Sequence, residues 1–391
     1  MPYSRFFVAL LISLALWVPG ALGAQGTPGA GLDPHMEVAR RVLATTPLID
    51  GHNDLPWLIY ANPEAPGDLS SYDLRGRAPG HTDIERLRTG MVGAQFWAVY
   101  VPPEAVEEGA ARVLMEVLDL TRRMILLYPE HLQQAFSASD VERIFGAGRV
   151  ASILGMEGGH ALENSLGVLR VIFEMGVRYL TLTHNNTTDW ADSATDEPRH
   201  GGLSTFGVEV IREMNRLGML ADLSHASDAT MSHVLDVSEA PVIFSHSSAR
   251  ALTDHPRNVP DSILRRMPGN GGLVMVTFVP FFVNDETMRH MESPHSVPEE
   301  APPATLADVA DHIDHVRRVA GVDHVGIGSD FDGMPSAPVG LEDVSTYPAL
   351  FAELSRRGWP EEDLRKLAGE NLLRAWREGE AVARRLQREG G

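Results

Sequence analysis

Acidic and imidazole side chains stand where apolar, β-prone runs stop, and the chain does this six times. Leu48-Ile49-Asp50-Gly51-His52-Asn53-Asp54 is the first case, and Ile153-Leu154-Gly155-Met156-Glu157-Gly158-Gly159-His160 the second. Tyr179 to His184, Leu220 to His225, Pro241 to His246 and Val325 to Asp330 repeat it. Neutral imidazoles and carboxylates are the usual ligands of catalytic transition metals. Such groups gathered without a cation would crowd like charges or bury them unpaired. The pattern therefore points to a metal-dependent enzyme.

Spacing adds detail. His52 and Asp54 are two residues apart, so on a strand both face the same side and can grip one metal. Glu157 lies among glycines that let the backbone approach closely, and its two carboxylate oxygens can bridge two cations. His225 and His246 end consecutive runs and would bring imidazoles to a second metal. Other histidines read differently. His312 and His315 fall among Asp308, Asp311 and Asp314 in a helical pattern and read as a solvated face. His324 precedes the last run and belongs to the opposite end of the fold. His160, His200 and His255 fall in loops near the site.

Six strand ends can deliver side chains to one place if the fold is a (β/α)8 barrel, whose sites form at the C-terminal ends of its strands. Eight apolar runs qualify as strands: about 47–52, 92–100, 151–157, 178–184, 219–225, 241–246, 272–279 and 324–330. Helical periodicity separates several of them, over Ala105 to Tyr128, Gly167 to Met175, Phe206 to Leu217 and Leu306 to Val319. Thr82-Asp83-Ile84-Glu85 resembles a capping box. The stretches Asn185 to Ser204 and Val283 to Pro303 read as long loops walling the site. The tail from about Tyr347 to Arg388 reads as helices packed outside the barrel.

Composition sets the limits. The chain has 391 residues, 43% hydrophobic and 22% charged, a globular composition, and barrels of this length form one domain. A net charge of -20 with 33 scattered basic residues argues against nucleic-acid binding. Residues 1 to about 24 read as an export signal: Arg5, the apolar stretch Phe6 to Val18, then the small residues of Ala21-Leu22-Gly23-Ala24. That run is short for a membrane span, so the mature chain is expected to be secreted or periplasmic and to have no transmembrane segment. Gln25 to Pro34, rich in Gly and Pro, reads as a flexible lead to a domain over 35–391. There is no cysteine, so stability is expected from the core and from bound metal.

Asp50-Gly51-His52-Asn53-Asp54, Gly155-Met156-Glu157-Gly158, Leu182-Thr183-His184-Asn185, Asp222-Leu223-Ser224-His225, Ser245-His246-Ser247-Ser248 and Gly328-Ser329-Asp330-Phe331-Asp332-Gly333 together resemble the membrane (renal) dipeptidase family, the M19 metallopeptidases of the amidohydrolase-like superfamily. The likeness runs from about residue 40 to about 375, with motifs in the family's order. It implies a distorted TIM-type α/β barrel and a binuclear zinc dipeptidase acting on free dipeptides. His52 and Asp54 would bind the first Zn2+, His225 and His246 the second, and Glu157 would bridge them. His184 would contact substrate near the scissile carbonyl, Arg257 would bind its terminal carboxylate, and Asp330 would move protons.

Two cations sharing a water make it nucleophilic near neutral pH, and a planar guanidinium suits a carboxylate. The only lysine is Lys366, in the C-terminal helices, which excludes a carbamylated-lysine bridge and agrees with Glu157. Family members with disulfides and a lipid anchor differ from this chain, which has no cysteine and ends in the charged stretch Arg384 to Gly391. Any homodimer is then expected to be non-covalent. Where those relatives carry a tyrosine after the seventh strand, this chain reads Thr277-Phe278-Val279-Pro280. The nearest alternative is another barrel hydrolase, an amidase, lactonase or deaminase. From a different class comes an inactive binding protein, disfavoured because no ligand or acid/base position is missing. Acceptance of a D-residue at the C-terminal position is left open.

Overall fold

All eight apolar runs become strands, buried on both faces as parallel strands under helices must be. The computed structural model describes residues 33–107, 109–293, 296–297 and 300–390. The export signal expected over 1–24 lies outside the described residues, as does nearly all of the 25–34 lead. Pro34 opens the first helix, and one compact unit runs from there.

The strands are β1 (Leu48–Asn53), β2 (Val92–Tyr100), β3 (Leu132–Gln134), β4 (Val150–Glu157), β5 (Val177–Thr181), β6 (Leu220–Asp222), β7 (Ile243–Phe244), β8 (Leu273–Val276) and β9 (Val325–Ile327). Every pairing is parallel, in the order β2-β1-β9-β8-β7-β6-β5-β4, and β2 pairs β4 from Ala94↔Ala151 to Tyr100↔Glu157, which closes an eight-stranded barrel. β3 was not expected. It pairs with Val150 to Ser152, below the point where β5 takes over the same edge of β4. Its Leu-Gln-Gln sequence is too short and polar to register as an apolar run.

Several strands stop two or three residues before their functional side chain, because the chain there turns out of the sheet. The helices match the periodic stretches, with Ala110–Leu127, Leu166–Glu174, Thr205–Leu217 and Leu306–Ala320 observed. Gly109 separates the first of these from the short turn Pro103–Glu107. Asp83, not Thr82, caps the helix Ile84–Thr89 by accepting from Arg86 N–H, while Thr82 accepts from Asn53. The C-terminal helix Asn371–Glu389 goes further than packing outside: Leu372, Leu373, Ala375 and Trp376 join Ile49, Phe96, Ile153, Tyr179 and Met275 in the barrel's interior cluster. Lys366 opens the π turn before it, and its Nζ lies 3.0 Å from Asp323, under the N-terminal end of β9.

His312 and His315 correct the sequence reading, since both are buried. Their helix turns that face inward, and its aspartates line the rim. His312 Nδ1 accepts from Ala249 N–H at 3.0 Å and Nε2–H donates to Val283 O at 3.1 Å, pinning two loops of the catalytic end. Burial holds this imidazole down at about 4, against 6.5 for a free one. A depressed histidine contributes stability that is complete above pH 6.5 and lost as pH falls through 4. This one group should account for up to about 3 kcal/mol over that window. In urea unfolding with chelator present, His312→Gln should lose that much less than wild type between pH 7 and pH 4. Equal pH slopes would place His312 in solvent.

Candidate active site

Six strand ends supply the site. His52 is the second-last residue of β1, and Asp54, just past its end, stands at the N-cap of the helix Leu55–Tyr60. Glu157 is the last residue of β4. His184 lies three residues beyond β5, His225 three beyond β6, His246 two beyond β7 and Asp330 three beyond β9. His225 and Asp330 take left-handed backbone angles, φ 67° and 70°, which fold each side chain back over the barrel mouth. The loop after β7 returns through the pairing Ala249↔Val259 and brings in Arg257.

All eight expected residues converge, and all but His52, which lies beneath, line one cleft of about 640 Å³. The two oxygens of Glu157 face different partners. Oε2 lies 3.4 Å from His52 Nε2, while Oε1 lies 3.0 Å from His225 Nε2 and 3.5 Å from His246 Nε2. His52 Nε2 is also 3.3 Å from Asp54 Oδ2, and the Nε2 atoms of His225 and His246 are 3.1 Å apart. Among the described residues three groups have donor atoms within 4.8 Å of one another: His52, Glu157 and His246; Glu157, His184 and His225; and His52, Asp54 and Asp330.

Burial pushes the Glu157 carboxyl up, but the charge of His52 and hydrogen bonds from His225 and His52 more than reverse this and hold it well below the usual carboxylate range. Burial drives His225 and His246 well below an ordinary imidazole, helped by Arg257 on both and by His52 on His246. Burial lowers His184 as well. Burial and the charge of Asp54 push the Asp330 carboxyl well up, opposite in direction to Glu157. An ionised carboxylate with one oxygen toward His52 and the other toward the neutral imidazoles of His225 and His246 is a donor set that fits divalent metal.

Arg257 is buried, and its nearest acceptors are Ser247 Oγ at 3.3 Å and His246 O at 3.5 Å. Its guanidinium carbon lies 5.2 Å from the Phe282 ring centre. Among the described residues no carboxylate forms an ion pair with it. A buried cation in that state calls for an anion from outside.

Trp57, Tyr100, Phe281, Phe282 and Asp332 also line the cleft, with no role assigned to them from sequence. Tyr100 could have been found, because it ends β2 as Glu157 ends β4 and is paired with it. Its hydroxyl lies 3.4 Å from His184 Nδ1. Of the loop histidines, His255 lines the cleft, His160 Nε2 meets Pro102 O and His200 Nε2 meets Thr188 O. Asn185 and Thr195 of the first long loop wall the cleft as expected.

Barrel and donor set together define a metal-dependent hydrolase. Residues 36–390 match the family model for membrane dipeptidase, peptidase family M19. Dipeptidase verJ of Clonostachys rogersoniana is 42% identical over 370 residues, 92% of this chain and 91% of the relative. Dipeptidase 3 of Mus musculus is 44% identical over 359 residues, 90% and 68% respectively. The probable dipeptidase PvdM from Pseudomonas aeruginosa superposes with a TM-score of 0.81 at 26% identity, over 90% of this chain and 99% of that one. A metallo peptidase from Rhodobacter sphaeroides, liganded with a phosphinate mimic of the dipeptide L-Ala-D-Ala, gives 0.75 at 27%, over 86% and 99%. The chain belongs to the membrane dipeptidase family, M19, and is a metallo-dipeptidase.

Gly333 tests the packing. A Cβ there would collide with Asp54 Oδ2 and Asp330 Oδ1. Gly333 is exposed and free of the left-handed backbone, so Gly333→Ala should fold normally. It should lose metal on dialysis and drop kcat/KM on the order of 10²-fold, the scale of a displacement near 1 Å at reacting groups. Wild-type metal content and turnover in this variant would contradict the close packing.

Proposed function

We propose that the chain is an exported dipeptidase that works with two zinc ions and cleaves free dipeptides, those with a C-terminal D-residue included. The observation that carries the two-ion reading is the split of Glu157, one oxygen toward His52 and the other toward His225 and His246. His52 and Asp54 would hold one ion, His225 and His246 the other, and Glu157 both. Acceptance of a D-residue is supported by the L-Ala-D-Ala mimic bound to the Rhodobacter relative. Export rests on the apolar stretch Phe6 to Val18 and the small residues after it.

When bound, the ions supply Lewis acidity and lower the pKa of water. The chain's own groups do the rest. Arg257 takes the free carboxylate of the C-terminal residue, which sets the scissile bond one residue away and limits that side to a single residue. His184, kept neutral by burial, donates to the developing oxyanion without adding a full charge beside the cations. The Asp330 carboxylate takes the proton that the attacking water gives up and passes it to the leaving amine, and burial and Asp54, which push this carboxyl up, make it the stronger base.

Asp330→Asn should keep both zinc ions by elemental analysis while kcat falls roughly 10²–10⁴-fold, the range for a lost general acid/base. Loss of metal in step with activity would make Asp330 a ligand instead.

Substrate length gives the decisive experiment. Amidating a good dipeptide leaves the buried guanidinium unpaired and should cost about 2–5 kcal/mol in kcat/KM. Arg257→Ala should slow the free dipeptide and erase most of the difference from its amide. Equal cleavage of both by the wild type would favour a broader amidase.

A further inference from the structure

Two of the imidazoles in the site are not free to choose which nitrogen carries the proton. Tyr179 stands in β5 with its ring fully buried in the barrel, where Gly155 of β4 makes room; a Cβ at 155 would strike the tyrosine ring. The Tyr179 hydroxyl lies 2.8 Å from His52 Nδ1 and 3.3 Å from Gly51 O. The carbonyl can only accept, so the phenol proton goes there and the phenol oxygen accepts from His52 Nδ1–H. With Nδ1–H committed to the phenol, Nε2 is the nitrogen that faces Asp54 and Glu157 and is left for a metal.

His246 is held in the same sense by different groups. Ser245 Oγ lies 2.7 Å from His246 Nδ1 and 2.6 Å from Asp222 Oδ2. Asp222 is fully buried and accepts from Ser224 N–H at 3.1 Å, Ser245 N–H at 2.7 Å and Thr181 Oγ at 2.5 Å as well. The serine hydroxyl donates to Asp222, so the serine oxygen is left to accept from His246 Nδ1–H. Ser224 Oγ, at 3.5 Å, is the weaker partner for that serine. His225 differs: its buried Nδ1 has no hydrogen-bond partner among the described residues.

We propose that Tyr179 and the Ser245–Asp222 pair are positioning residues that lock His52 and His246 with the proton on Nδ1, so that both present the Nε2 lone pair to metal. The proposal rests on the reading of His52 and His246 as ligands. Outer partners of ligating histidines fix ring orientation and tautomer, and their loss costs about 10–100-fold in metal affinity. Asp222→Asn is the sharpest case. The amide can keep the two backbone N–H bonds on its oxygen but must then offer N–H to Thr181 and Ser245. Ser245 then donates to His246 Nδ1 and moves the imidazole proton to Nε2, where it blocks the metal.

The test is zinc affinity, by competition with a chromophoric chelator, on full-length wild type, Tyr179→Phe, Ser245→Ala and Asp222→Asn, with thermal unfolding of each metal-free protein alongside. Tyr179→Phe keeps the ring in place of the Gly155 side chain and should melt close to wild type while binding one zinc about 10–100-fold more weakly. Ser245→Ala should do the same, and Asp222→Asn should be the weakest binder. If Asp222→Asn does not fold, the other two variants decide. Wild-type zinc affinity in folded Tyr179→Phe and Ser245→Ala would overturn the lock while leaving the zinc reading intact. A wild type that takes up no zinc would overturn both.

Discussion

Two buried aspartates hold the catalytic end of the barrel together. Asp222 ties β6 to the chain after β7 in the manner described, and Asp50 does the equivalent between β1 and the chain after β9. Asp50 Oδ1 accepts from His52 N–H at 3.3 Å and Ser329 N–H at 2.7 Å, and Oδ2 accepts from Ser329 Oγ at 2.7 Å and Tyr347 OH at 2.6 Å. In each case the aspartate takes the N–H two residues ahead in its own chain segment and both the N–H and hydroxyl of a serine just past the end of the neighbouring strand. In each case that serine immediately precedes a site residue, His246 or Asp330. A buried carboxyl without donors would be strongly destabilising, so four donors apiece leave these strand ends little freedom to shift. β7 pairs through only two residues, and this tie substitutes for the ladder it lacks.

With the ends fixed, the electrostatics of the cleft follow from burial. The same dry surroundings that strip His225 and His246 of protons raise the Asp330 carboxyl, and the imidazoles around Glu157 keep that one carboxylate ionised. Acceptors for cations are thus crowded at the floor. The guanidinium of Arg257 stands against an aromatic wall of Phe282 and Phe281, whose ring centres are 4.6 Å apart. Floor and wall carry opposite charge preferences, as a ligand with a polarisable centre and a separate anionic end requires.

The sequence made the strand ends legible because each apolar run ends on a side chain of unusual type, and a parallel barrel turns that one-dimensional pattern into a ring. The order β then α and the converging residues could therefore be read directly. The tyrosine and serine behind the imidazoles could not. Tyr179 looks like any aromatic in a strand, and only the three-dimensional pairing of β4 and β5 puts it against a glycine. His312 and His315 misled because the aspartates at 308, 311 and 314 suggested water. A helix of this length places residues three apart on one face, and here that face is the inner one. Thr82 looked like a cap, yet a neighbour with a carboxylate won the position.

The placement of Lys366 has a practical side. Among 33 basic residues it is the only primary amine on a side chain, and it lies at the N-terminal ends of the strands, across the barrel from the cleft. Reagents that acylate side-chain amines have one address on this protein, with a fixed orientation relative to the mouth. Attached to a support or a dye through that address, the barrel would present its open end outward, and no acylation could enter the cleft by way of a lysine.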